Sequence, residues 1–219
     1  MDVVIAGGHG KIAMRLLRLL SENGHRGRGL IRKPEQAADL EAVGGEPVIC
    51  DLEAEDDISE HVRGADAVVF AAGAGPGSGP ERKQTMDLGG ALKLIDAAKA
   101  NGIGRYVIVS SIGAHNPGGG SGPMGPYLQA KHDADVAVEQ SGLDFTIVRP
   151  GSLTDDPGTG LVTATTSMGG RGPVPRDDVA ATLFAALQMD STIGKTFELF
   201  QGETPIEEAL QALAGPPEH

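Results

Sequence analysis

Cysteine is nearly absent. Cys50 is the only one in 219 residues, so no disulfide can form within the chain, and a reducing compartment is expected. At the end of an apolar run, Cys50 reads as a small buried residue. Basic residues are also scarce, with 18 Lys and Arg against 30 Asp and Glu and a net charge of −12. Such a surface repels a phosphate backbone and excludes nucleic acid as a natural partner. Any anionic ligand must be held by a local basic group or by backbone N–H donors. No apolar run is long enough to cross a bilayer, so no membrane partner is expected. Met1-Asp2-Val3-Val4-Ile5 opens directly as a core strand without a basic leader, which predicts a cytoplasmic protein with no signal peptide. The six histidines are scattered, with no pair at ligand spacing and no cysteine partner, so no metal site is expected. The acidic run Glu53-Ala54-Glu55-Asp56-Asp57 reads as the start of a helix, where negative charge is favoured without any metal. There is no repeat and no linker, and the length suits one domain.

What is present is alternation. Val3–Ala6 is a short apolar run that breaks at Gly7-Gly8-His9-Gly10. From Lys11 the period changes, with Ile12, Leu16, Leu17 and Leu20 on one helical face up to Gly24. Strands follow at Gly29-Leu30-Ile31, Pro47–Cys50, Ala67–Ala72, Tyr106–Val109 and Phe145–Val148. Pro34 opens a helix between the second and third strands, where a missing N–H costs nothing. Ala67–Ala72 shows no polar alternation, as a strand covered on both faces would. Between the strands lie a long helix carrying Leu88, Leu92, Ile95 and Ala98, and another over Pro126–Gln140. This order predicts an α/β doubly wound parallel sheet, a Rossmann fold. Residues 1–150 form the dinucleotide-binding core and 151–219 a small substrate-side extension of the same domain. The extension is expected to hold strands at Leu161–Ala164 and Thr196–Leu199, a helix over Asp177–Gln188 and a last helix over Pro205–Leu213. The glycine- and proline-rich stretches Gly73–Pro80 and Gly113–Pro126 follow the fourth and fifth strands. They therefore fall at the carboxyl edge of the sheet, where open α/β folds bind ligands, and read as mobile walls of a substrate cleft.

The break after the first strand carries the chemistry. Gly7-Gly8-His9-Gly10-Lys11-Ile12-Ala13 matches Gly-x-x-Gly-x-x-Ala between a strand and a helix. Gly7 allows the tight turn, Gly10 leaves room for a pyrophosphate to approach the backbone, and Ala13 lets the helix pack close to the sheet. The helix N-terminus offers unpaired N–H groups and a positive dipole to phosphate. Gly8, His9, Lys11 and Ile12 complete the expected pyrophosphate turn, with His9 as a wall residue. A site preferring NAD usually carries an acidic residue at the end of the second strand. This chain has Arg32, whose guanidinium suits the 2′-phosphate of NADP. NADP is therefore the expected cofactor, with NAD as the alternative.

Gly-x-x-Gly-x-x-Ala, Arg32, Asp51-Leu52, Ala71-Ala72-Gly73, Ser110-Ser111, Tyr127-x-x-x-Lys131 and Val148-Arg149-Pro150-Gly151 together resemble the short-chain dehydrogenase/reductase superfamily. The match is to its atypical branch of NAD(P)H-binding, NmrA-like and biliverdin-reductase-B-like proteins. The likeness runs nearly the whole chain, through Thr192–Phe197 and Gly202–Ile206. It implies that Asp51 and Leu52 contact the adenine and that Ala71, Ala72 and Gly73 line the ribose path. It also implies that Pro150, Gly151, Ser152 and Leu153 flank the nicotinamide. Ser111 matches the family's catalytic serine, with Ser110 behind the nicotinamide. Adjacent strand residues face opposite ways, so only one of the two can polarise a substrate oxygen.

Tyr127 and Lys131 lie one helical turn apart on one face. An ammonium beside a phenol eases its ionisation, and the lysine can also hold the nicotinamide ribose. Tyr127 would then act as general acid or base towards a carbonyl or carbinol. The expected function is that of an NADP-dependent oxidoreductase acting on a small organic substrate. The alternatives are a non-catalytic NADP(H) sensor and a nucleotide-sugar epimerase or dehydratase, which needs a larger C-terminal lobe than the residues after Pro150 can build. The sequence leaves a monomer and a homodimer equally open.

Overall fold

The structure is a computed structural model that describes residues 1–219 apart from 74, 76, 120–123, 214 and 216–219. Strand β1, Asp2–Ala6, leads through the glycine turn into helix α1, Lys11–Glu22. Strand β2, Arg26–Ile31, is followed by a 3-10 turn at Pro34–Gln36 and helix α2, Ala37–Ala42. Strand β3, Glu46–Ile49, ends one residue before Cys50, which is buried as expected. Helix α3, Ser59–Val62, and strand β4, Ala67–Phe70, come next. The chain then forms α4, Pro80–Arg82, a π-helical stretch at Lys83–Gly89 and α5, Gly90–Ala100. Strand β5, Arg105–Val109, helix α6, Met124–Glu139, and strand β6, Asp144–Pro150, complete the core.

Strands β1 to β6 are parallel, in the order β3-β2-β1-β4-β5-β6. Side chains alternate across the sheet. Val3, Ile5, Val69, Val107 and Val148 pack on the layer holding α1, whereas Val4, Val68, Phe70, Ile108 and Ile147 pack on the layer of α5 and α6. All four residues of β4 are buried, as the absence of alternation predicts. Glycine at 29 lets β2 lie beneath α2, because a Cβ there would sit 2.5 Å from a methyl of Leu40.

The region after Pro150 extends this sheet. It contains β7, Ser152–Thr154, β8, Leu161–Thr165, β9, Pro173–Pro175, α7, Arg176–Gln188, β10, Lys195–Gln201, β11, Thr204–Pro205, and α8, Ile206–Ala212. Strand β10 joins β6 in parallel, but β8 pairs antiparallel with β10, and β11 antiparallel with β8. The sheet is therefore mixed at this edge rather than wholly parallel. The β8–β10 connection runs through β9 and the 13-residue helix α7, yet β8 lies antiparallel to β10. Strands β7 and β9 form a separate pair.

Two expected local features differ. The acidic run at 53–57 starts no helix: residues 52–54 form a turn and the helix begins only at Ser59. Asp51 accepts from the N–H groups of Glu53 and Ala54, and Asp57 from that of Ser59, so side chains compete for the backbone donors. Leu92 was expected on the buried stripe with Leu88 and Ile95, yet it is exposed. The π stretch before it carries more residues per turn than an α-helix, so the inward face shifts to Ala91, Leu94, Ile95 and Ala98. Within the two glycine-rich stretches, residues 74, 76 and 120–123, including Gly120, Ser121 and Gly122, lie outside the described residues. Among the described residues no helix is long and apolar enough to cross a membrane.

Candidate active site

The glycine turn divides its labour. Gly7 has φ of +80°, and a Cβ on it would lie 2.6 Å from the Cα of Ala72. Gly8 closes on β2, where a Cβ would lie 2.6 Å from the Cα of Gly29. A Cβ on Gly10 would meet only the carbonyl oxygens of Gly7 at 3.1 Å and Ala71 at 3.8 Å. Thus Gly7 and Gly8 are required by the protein's own packing, whereas Gly10 borders open space at the start of α1. A pyrophosphate needs such a cradle, with free approach to backbone at a helix N-terminus.

The turn opens into a cleft of about 220 Å³ at the carboxyl edge of β1, β2, β3 and β4, bordered by Gly7, His9 and Gly10. Arg32, Asp51 and Leu52 line its far side, and Ala71, Ala72 and Gly73 its near side. These nine expected residues are therefore brought together. His9 is a wall residue as anticipated, its Nε2 2.7 Å from Asp39 Oδ2. Three others of the expected turn face elsewhere. Gly8 is buried, Ile12 packs into the core, and Lys11 pairs with Asp155, which also accepts from Arg176 Nη1 at 2.9 Å.

The other expected residues gather beyond the cleft, around the ends of β5 and β6. Ser110 is buried and donates to Asp135 Oδ2 at 2.8 Å, which also accepts from Arg149 Nε at 3.0 Å. Burial pushes the Asp135 carboxyl up, against the opposing pull of Arg149 and Ser110. Among the described residues, Ser111 donates to the carbonyl of its neighbour Ile112, at 3.1 Å. Lys131 is buried, lies 3.1 Å from Asp87 Oδ1, donates to the Val109 carbonyl, and holds its ammonium 5.9 Å from the centre of the Tyr127 ring. Burial pulls the Lys131 pKa down, but the negative charge of the Tyr127 oxygen and of the Asp87 and Asp135 carboxylates outweighs it and raises the pKa. Gly151 packs under Phe200, where a Cβ would lie 2.8 Å from that ring and 2.1 Å from the Gly172 carbonyl oxygen. Pro150 precedes it at the end of β6, and Ser152 and Leu153 lie exposed along β7.

Sequence reasoning missed the buried anions. Asp135 lies one turn beyond Lys131 on α6, a spacing that could have flagged it. Asp87 sits on the π stretch, where helical spacing gives no guide. It also missed Arg82, which lines the same cleft. The expectation that no histidine has a cysteine neighbour is also corrected. Ligand-type atoms of Cys50, Glu55 and His61 lie within 4.8 Å of one another. They form a brace for the turn after β3. His61 Nε2 is 2.7 Å from Glu55 Oε2, Glu55 Oε1 accepts from the Asp51 N–H at 2.8 Å, and burial followed by Glu55 pushes the Cys50 thiol up to about 12.

A Rossmann sheet whose first turn leaves its open space at Gly10, and whose edge then runs to a tyrosine and a lysine, defines a nicotinamide-dinucleotide-binding protein. The chain belongs to the NAD(P)H-binding family, whose profile matches residues 7–190. It is 43% identical over 215 residues to the "Uncharacterized sugar epimerase YhfK" of Bacillus subtilis (strain 168), covering 97% of this chain and 100% of that protein. Among solved structures, a Bacillus halodurans protein called an NAD-dependent epimerase/dehydratase superposes with a TM-score of 0.92 at 39% identity, covering 97% and 99% of the two chains. The oxidoreductase ylbE of Lactococcus lactis superposes with a TM-score of 0.84 at 29% identity, covering 100% and 99%. The resemblance to the atypical short-chain dehydrogenase/reductase branch therefore holds over the whole chain, with relatives named both as oxidoreductases and as epimerases.

Proposed function

We propose that this chain is an NADP-dependent reductase of small organic carbonyl substrates, with Tyr127, Lys131 and Ser111 as its catalytic residues. The observation that carries this reading is the Lys131 ammonium, fixed by Asp87 at 3.1 Å and held 5.9 Å from the Tyr127 ring. Bound NADPH supplies the hydride. Tyr127 donates its hydroxyl proton to the substrate oxygen, and the fixed charge of Lys131 stabilises the phenolate left behind. Ser111 can redirect its hydroxyl from a local carbonyl to the same oxygen. Ser110 is committed to Asp135 and backs the nicotinamide. Gly7 and Gly10 cradle the pyrophosphate, Arg32 takes the 2′-phosphate, and Pro150 to Leu153 flank the nicotinamide.

The test is NADPH oxidation against aldehydes, ketones, quinones and flavins, with parent and Tyr127→Phe run together. General acid catalysis is worth about 10²–10⁴-fold, so turnover should fall by that factor with NADPH affinity unchanged. Turnover that survives the substitution removes Tyr127 from the mechanism. Tight NADPH binding with no turnover anywhere on the panel favours a cofactor sensor.

The names of the Bacillus relatives favour a second reading, epimerisation of a nucleotide sugar. Among the described residues, those after Pro150 extend the main sheet, add the β7–β9 pair, and pack α7 and α8 into the core shared with α1, so no separate sugar-binding lobe is built. Chromatographic interconversion of uridine-diphosphate hexoses by the cofactor-loaded protein would establish this reading over the first.

A further inference from the structure

Arg32 is not the only guanidinium on the adenosine side of the cleft. Arg82, in the first turn of the helix that follows β4, lines the same space. Between them stands Glu53, from the turn after β3. Its Oε2 lies 3.2 Å from Arg82 Nε and 3.9 Å from Arg32 Nη1, and its Oε1 accepts from Thr85 Oγ1 at 2.8 Å. The Glu53 side chain is 25% exposed, against 45% for Arg32 and 38% for Arg82. The carboxylate is thus set back behind two arginines whose ends reach the solvent of the cleft. Three loops that are remote in sequence, after β2, β3 and β4, meet to build this arrangement.

We propose that Arg82 is a specificity-determining residue. With Arg32 it forms a two-armed clamp on the 2′-phosphate of the adenosine ribose, and Glu53 holds the arms in register before the ligand arrives. This rests on the NADP reading above. A phosphomonoester carries close to two negative charges at neutral pH, more than one arginine can balance. In a chain that is otherwise strongly acidic, Arg32 and Arg82 are the two cationic side chains among the described residues that line this cleft, where Asp51 also lies. A guanidinium offers five N–H donors in a fixed fork, so a bond from Arg82 Nε to Glu53 is compatible with donation to phosphate oxygens. A 2′-hydroxyl presents no charge to this pair, so the clamp discriminates between the two cofactors.

The experiment is calorimetric titration of the ligand-free protein with 2′,5′-ADP and with 5′-ADP, which lacks the 2′-phosphate. Parent, Arg82→Gln, Arg82→Lys and Arg32→Gln are compared, with melting temperatures confirming that each is folded. Arg82→Gln should weaken 2′,5′-ADP by about tenfold or more while leaving 5′-ADP within about twofold, since a hydrogen bond to a charged group is at stake. Arg82→Lys should recover part of that loss. Equal weakening of both ligands makes Arg82 a wall residue and overturns the clamp. Full 2′,5′-ADP affinity in Arg82→Gln, with loss in Arg32→Gln, overturns the clamp and leaves the NADP reading standing. A parent protein that binds both ligands equally overturns the two together.

Discussion

Asp87→Asn tests whether Lys131 is held as a permanent ammonium. The two side chains are 5% and 1% exposed and 3.1 Å apart. At an effective dielectric of about 20, their attraction is about 5 kcal/mol. The amide keeps the shape of the carboxylate but removes its charge, leaving Lys131 buried with Asp135 as a remaining carboxylate that favours its charge. Breaking a buried pair from one side typically costs about 3–5 kcal/mol, because the stranded charge has lost its compensation. For a chain of this size each kcal/mol moves the melting temperature by roughly 2–4 °C, so a fall of roughly 10 °C is expected. Adding Lys131→Met removes the stranded charge and should restore most of the loss. The pH dependence carries a sign as well. The Lys131 pKa is raised above its ordinary 10.5, so its contribution is fully present below that value and is lost as pH rises through the higher folded value. The parent should therefore lose stability above about pH 10.5 more steeply than the double variant. Calorimetric melting of the cofactor-free proteins reads all of this. An Asp87→Asn variant melting within about 2 °C of its parent would refute the argument.

Two further outcomes follow from the geometry. Gly8→Ala should destabilise the fold by about 1–3 kcal/mol or more, because backbone meets backbone at the β1–β2 contact. Gly10→Leu should instead abolish dinucleotide binding while the melting temperature barely moves; the reverse pattern in paired melting and titration experiments would place the pyrophosphate elsewhere. In acid, Glu55 is held below its ordinary 4.5 chiefly by His61, and Asp177 below 3.8 chiefly by Arg15. Stability from both is present above those values and lost as pH falls through the folded ones, so Arg15→Gln should flatten the fall in melting temperature between about pH 5 and 3. An unchanged slope would remove Asp177 from the acid transition.

The core and half of the site were legible from the residues in order. Each parallel strand and its helix is a local pattern, readable because burial imposes period 2 or 3.6 on neighbours in sequence. The glycine turn is equally local, and Arg32, Asp51 and Ala71 could be placed because strand ends in such a fold share one edge. The sequence alone thus determined the winding, the dinucleotide edge and the Tyr127–Lys131 pair. What faces what across loops had to come from the tertiary structure. It alone set Asp87 against Lys131, Asp135 between Ser110 and Arg149, and Glu53 between Arg32 and Arg82. It also turned β8 antiparallel and sent Lys11 to Asp155. These are encounters between charges tens of residues apart. Their energies depend on burial and on distances of about 3 Å, which no spacing along the chain encodes.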